Sequence, residues 1–135
     1  MIAARLNVGL EGFGSAGDLN SKLGSIVNGP INEVDYFGHS YDSLCLLNYG
    51  ELWTNATSAT DVWGLKDFGG LRSLLPAGFK FLSFGCNQAN PNGLCQGIAS
   101  LGFAAFGSVG KTDYAKMTGY APASEGSYKW FRGRH

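Results

Sequence analysis

Hydrophobic and polar positions along this chain change period several times, and each change marks an element. Ile2 to Leu10 reads as a first strand. Leu19, Leu23, Ile26 and Val27 then recur at i, i+4, i+7 and i+8, the single apolar stripe of a helix. Ser15-Ala16-Gly17-Asp18 supplies the cap that opens it, and Asn28-Gly29-Pro30 stops it. Ile31 to Phe37 is a second strand, so strand, helix and strand with short links predict a right-handed βαβ unit. Leu44 to Leu47 is a short apolar run suited to a hairpin arm, and Gly50 to Thr60 is polar and irregular. Phe68, Leu71, Leu74 and Leu75 give the stretch from Asp61 to Leu75 a helical face, which Pro76-Ala77-Gly78 ends.

The next stretch is the one around which the chain is organised. Phe79 to Phe84 is a β-prone run that leads straight into Gly85-Cys86. A polar turn follows, and Asn90-Pro91 pairs a cap residue with a proline suited to a first helical position. Leu94, Ile98 and Leu101 share one face of that helix, and Gly102 closes it. Phe103 to Ser108 is a fourth strand, with Gly110 to Tyr114 as a loop at its C-terminal end. The remainder is rich in Tyr, Trp and Gly, and its pattern assigns no element. The alternation predicts one α/β domain over residues 1–135. Its expected form is a three-layer sandwich, with a mostly parallel central sheet and helices on both faces.

Composition narrows the function. A chain of 135 residues buries a core without disulfide staples. Ten basic and ten acidic residues give zero formal charge, so no nucleic-acid or anionic-membrane partner is expected. Lys129, Arg132, Arg134 and His135 read as a solvated tail. No apolar run approaches a membrane span, and Met1 to Arg5 lacks the core of a signal peptide. The expectation is a cytoplasmic protein, or one exported without a leader. Cys45, Cys86 and Cys95 cannot all pair within one chain. With only two histidines there is no zinc-type spacing, so free thiols and no metal or cofactor are expected.

Candidate chemistry follows from two strand ends. In a parallel α/β sheet, ligands bind at the C-terminal ends of strands. One predicted strand ends in Gly38-His39-Ser40 and another in Gly85-Cys86-Asn87. A thiolate at Cys86 would attack a carbonyl and His39 would protonate the leaving group. Gly38 and Gly85, just before them, let a substrate backbone approach closely. Asn87, Asp113 and Tyr114 are placed at the same edge to line a substrate pocket, and Asp113 there would favour a basic side chain. The expected substrate is a peptide or amide. Cys45 and Cys95, inside apolar patterns, are expected to be structural.

These residues carry a resemblance. Asp35-Tyr36-Phe37-Gly38-His39-Ser40, Phe84-Gly85-Cys86-Asn87, Gly93 to Gly102, Gly107-Ser108-Val109-Gly110 and Thr112-Asp113-Tyr114 resemble the caspase-like cysteine peptidases, which include caspases, gingipains and CHAT-type peptidases. His39 precedes Cys86 by roughly fifty residues, the order and spacing of the caspase pair. The resemblance implies a caspase-like fold, His39 as general acid/base and Cys86 as nucleophile. Where that group has His followed by Gly, this chain has Ser40, whose N–H would join the Cys86 N–H in the oxyanion hole. A toxin or effector domain of a longer protein fits the same reading, as does an inactive caspase-like binding domain.

Two other motifs compete. Gly12-Phe13-Gly14-Ser15-Ala16-Gly17 matches G-x-G-x-x-G, with Asp35 near the position of a ribose carboxylate, and points to a dinucleotide-binding module. Ala105 to Thr112 is close to a P-loop but has Ala in place of the first Gly. Gly38-His39-Ser40-Tyr41-Asp42 is similar to a serine-nucleophile elbow but ends in Asp instead of Gly.

Overall fold

The structure is a computed structural model that describes residues 15–24, 31–47 and 62–133. Ser15 opens the first helix of the described residues, its Oγ accepting the Asp18 N–H at 3.1 Å, and α1 runs Ala16–Gly24. Strand β1 (Glu33–Tyr36) follows, then β2 (Leu44–Leu46), β3 (Val62–Gly64) and α2 (Leu65–Leu71), which tightens into a 3-10 turn at Arg72–Leu74. After β4 (Lys80–Ser83), α3 (Leu94–Ser100) and β5 (Ala104–Val109), the chain ends in three strands: β6 (Thr112–Thr118), β7 (Ala121–Ser124) and β8 (Ser127–Phe131).

This is not the expected three-layer parallel sandwich. Among the described residues, strand outweighs helix and the sheets are mixed or antiparallel. The main sheet has the order β1-β4-β5-β8. β4 lies parallel to both β1 and β5, and β8 runs antiparallel along β5. β2 pairs with β3, and β6 with β7, as separate antiparallel two-stranded sheets. Two sequence features explain the difference. Val62-Trp63-Gly64 lies within the stretch expected to be helical, but its β-prone side chains pair with β2, leaving only seven residues for α2. Thr112 to Tyr114, expected as part of a loop, instead open strand β6, and the unassigned stretch after them completes β6 and supplies β7 and β8, turning its aromatics onto the sheet.

The two faces of the main sheet differ. One carries Val34, Tyr36, Phe81, Ala105 and Phe131, and the buried side chains of the three helices among the described residues pack there. Trp63, Phe68, Phe81, Leu94, Cys95 and Ile98 form the centre of that cluster. A polar strut holds its rim: Trp63 Nε1–H donates to Asn20 Oδ1 at 2.7 Å, and Asn20 Nδ2 donates to Asp67 Oδ1 at 2.8 Å. Asp67 also accepts the Gly64 N–H at 2.9 Å, satisfying a donor at the start of α2.

The opposite face is aromatic. Phe106 stacks on Tyr128 with centroids 4.9 Å apart, and Phe84 touches Phe37, Phe106, Tyr120 and Tyr128. The β6–β7 hairpin turns back over this face. At its turn the Tyr120 hydroxyl donates to Asp35 Oδ2 at 2.6 Å. That bond, followed by burial, pushes the Tyr120 phenol up to about 12. After β8 the chain reaches Gly133, where an added Cβ would lie 2.1 Å from the Gly102 carbonyl carbon, at the foot of β5.

Several sequence expectations lie outside the described residues. These are the first strand at Ile2 to Leu10, the glycines Gly12 and Gly14, Asn28-Gly29-Pro30, the stretch from Gly50 to Thr60, and Arg134 and His135.

Candidate functional site

β1 and β4 are neighbours, parallel and in register, with Tyr36 opposite Ser83. The sequence after each strand, Phe37 to Ser40 and Phe84 to Cys86, therefore emerges at one edge of the sheet. The two loops touch. Ser40 Oγ–H donates to the Cys86 carbonyl at 2.7 Å. Gly85 is required by this approach: an added Cβ would lie 2.4 Å from Ser40 Oγ and 3.1 Å from the Gly38 carbonyl oxygen.

His39 is exposed, and its backbone is tied down on both sides. The Tyr36 hydroxyl hydrogen-bonds to the His39 carbonyl and reaches the Leu46 carbonyl at 2.8 Å. Leu46 N–H donates to the same His39 carbonyl at 3.0 Å, and Tyr41 N–H donates to Leu44 C=O at 2.9 Å. Ser40 and Cys45 thus face each other as a non-hydrogen-bonded antiparallel pair, which turns the Ser40 N–H away from Cys45. The turn of this hairpin docks on the start of α3, where Asp42 C=O accepts the Leu94 N–H at 2.8 Å. Gly93 makes the docking possible, since a Cβ there would lie 2.9 Å from the carbonyl oxygens of Asp42, Gln88 and Asn90.

Cys86 is half-buried, and its sulfur faces β6. Thr112 N–H donates to Cys86 Sγ at 3.4 Å, and Thr112 Oγ1 lies 3.5 Å from the same atom. Tyr128 is close enough that a charged Cys86 sulfur, after burial, is the second influence raising its phenol. The other two thiols lie in the core with no exposure. Burial pushes the Cys95 thiol up to about 12 and raises Cys45 further.

The other site residues divide. Tyr114 reaches the edge, but its hydroxyl bonds to backbone: it donates to Phe84 C=O at 2.8 Å and accepts from Gly38 N–H at 3.0 Å, bridging the two strand ends. Asp113 alternates with Thr112 and Tyr114 along β6, so its side chain points to the other side of the strand. There its Oδ1 accepts the Ala115 N–H at 2.9 Å, leaving no basis for a pocket selecting basic side chains. Asn87 takes a left-handed backbone with φ 66° and serves the turn: its N–H donates to Gly110 C=O at 2.8 Å, and its Oδ1 accepts from Asn90.

The competing motifs meet ordinary structural uses. Ala105 to Val109 lies within strand β5 (Ala104–Val109), not in a phosphate-binding loop. Ser40 Oγ is engaged by the Cys86 carbonyl, and Asp35 by Tyr120. The helix after Cys86 begins at Leu94, not at Pro91. Its first N–H groups donate to Asp42 and Gln88 carbonyls, so they face those groups and not the sulfur. An apolar cavity of 390 Å³ between α1, β1 and Trp63 includes neither His39 nor Cys86.

Sequence reasoning assigned no role to Thr112, Tyr36 or Gln88. Thr112 follows the turn at Gly110, whose φ of +84° reverses the chain toward Cys86. That glycine was the available signal. No family model, curated protein or solved structure matches this chain.

Proposed function

We propose that this protein is a cysteine-dependent hydrolase of peptide or amide bonds, with Cys86 as nucleophile and His39 as general acid/base. The observation that carries the reading is the contact between the two strand ends. Adjacent parallel strands deliver Gly38-His39-Ser40 and Gly85-Cys86 to one edge, and Ser40 Oγ holds the Cys86 carbonyl at 2.7 Å. The sulfur would attack the scissile carbonyl carbon, and the imidazolium would give its proton to the leaving amine. Water activated by the resulting neutral imidazole would then release the acyl group from sulfur. The outward-turned Ser40 N–H, together with the Cys86 N–H, would receive the oxyanion. Thr112 orients the sulfur from the side of β6.

The test is alkylation of the full chain with iodoacetamide at pH 6 and pH 9, read peptide by peptide by mass spectrometry, alongside cleavage of a fluorogenic peptide library. Cys86 should label first at pH 6, with Cys45 and Cys95 protected in the folded protein. His39→Ala should slow Cys86 labelling far more at pH 6 than at pH 9, and both His39→Ala and Cys86→Ala should abolish cleavage. Equal labelling of Cys86 in wild type and His39→Ala at pH 6, with no peptide cleaved, would rule the reading out.

A further inference from the structure

Gln88 has a fully buried side chain. An amide in that position needs partners, and these come from β4 and from both arms of the His39 hairpin. Its Oε1 accepts from the Ser83 hydroxyl on β4 and from the Cys45 thiol on β2, the latter at 3.5 Å. Its Nε2 donates to the Tyr41 carbonyl at 3.3 Å, two residues beyond His39. Ser83 Oγ in turn accepts the Gly85 N–H at 3.3 Å, from the residue before Cys86. A continuous relay thus runs from the peptide preceding the nucleophile, through Ser83 and Gln88, to the hairpin carrying His39. Gln88 itself is anchored on the scaffold, because its carbonyl accepts the Cys95 N–H from α3 at 3.0 Å, and the adjoining Ala89 N–H donates to Ser108 C=O on β5 at 3.0 Å.

We propose that Gln88 is a positioning residue that sets the placement of the His39 hairpin against Cys86 through its side-chain amide; this rests on the reading of Cys86 and His39 as the reacting pair. The chemistry is selective. Residue 88 must accept two hydrogen bonds at one oxygen and donate one at the other end. A primary amide does this at any pH, and a protonated carboxyl does it too. A carboxylate cannot, because it would set an anionic oxygen against the Tyr41 carbonyl. Among the described residues, the other titratable groups facing residue 88 are Cys45 from β2 and Cys95 from α3. Burial keeps both protonated, so a new ionisation in Gln88→Glu would belong to residue 88.

The experiment follows iodoacetamide labelling of Cys86 from pH 5 to pH 9 in the full chain. It compares wild type, Gln88→Glu, Ser83→Ala, and each of these combined with His39→Ala, with circular dichroism at every pH. Gln88→Glu should label within about threefold of wild type near pH 5. As its carboxyl ionises it should fall at least about tenfold behind, a modest share of the on the order of 100-fold that a 1 Å misplacement costs. In the His39→Ala background that gap should close. Ser83→Ala should slow labelling without adding a pH dependence. A Gln88→Glu profile parallel to wild type at every pH would overturn the proposal, as would a decline that persists undiminished without His39. If Gln88→Glu does not fold, unchanged labelling in Ser83→Ala would overturn it instead. A wild-type rate indifferent to His39→Ala would remove the reacting pair itself, a failure visible in the wild-type arm alone.

Discussion

Ser40 and Cys86 are joined side chain to main chain, with the serine hydroxyl 2.7 Å from the cysteine carbonyl oxygen. The bond holds the backbone of Cys86, not its sulfur, so the thiol remains available while the peptide around it is fixed. It also explains why the residue just before Cys86 is glycine.

Gly85→Ala should therefore force the two strand ends apart. Overpacking of this kind costs about 1–3 kcal/mol. Ser40→Gly removes the two atoms nearest the new methyl, leaving the Gly38 carbonyl at 3.1 Å as the next contact. The double variant should recover about 1 kcal/mol relative to the sum of the single changes. Urea denaturation of the four proteins measures this coupling, and strict additivity would show that the clash is relieved elsewhere.

Tyr114→Phe keeps the ring and removes the hydroxyl that bridges Gly38 N–H and Phe84 C=O. Two hydrogen bonds of ordinary strength are lost, so stability should fall by about 1–2 kcal/mol. Amide hydrogen exchange at Gly38 should quicken in the variant. Unchanged exchange there would mean that the bridge does not hold the strand ends.

Stability should decline at alkaline pH for a reason located in the core. In the unfolded chain Cys45 and Cys95 ionise near the ordinary value of 9.0, whereas in the native protein burial raises both, Cys95 to about 12. Between about pH 9 and about pH 12 the native state therefore binds more protons than the unfolded state. The stabilisation is complete below pH 9 and is lost as pH rises, at about 1.4 kcal/mol per pH unit for each thiol. Cys95→Ala should flatten the slope of unfolding free energy against pH by about one thiol's share, whatever it costs at neutral pH. An unchanged slope would place the alkaline sensitivity elsewhere.

The parts legible in the sequence were those set by short-range pattern. The Ser15 cap and the strand into Gly85-Cys86 each follow from a handful of adjacent residues, whereas the meeting of the two strand ends joins segments far apart in the chain and was expected only from the general rule that ligands gather at one edge of a parallel sheet. Val62-Trp63-Gly64 was not legible, because its membership of a strand depends on β2, sixteen or more residues away in the chain. The C-terminal stretch was opaque for the same reason. Phe106, Tyr128 and Trp130 show their shared face only once β8 lies antiparallel on β5. Within the site, Asp113 and Tyr114 stood side by side in the sequence as candidates, yet a strand's period of two sends them to opposite sides. Gln88 carried no periodic or motif signal. Its three partners come from β4 and from the distant His39 hairpin, and only the fold places them around one amide.

The close approach of Gly133 to Gly102 fixes where the chain leaves the sheet. Gly102 lies at the foot of β5, and Cys86 lies beyond the top of its parallel neighbour β4. Anything joined after Gly133, whether an affinity tag, a surface linkage or a further polypeptide, departs from the end of the sheet opposite Cys86. A carrier attached there leaves the Cys86 edge open to solvent, so tethering through this terminus is the orientation that keeps the proposed site in reach of a large substrate.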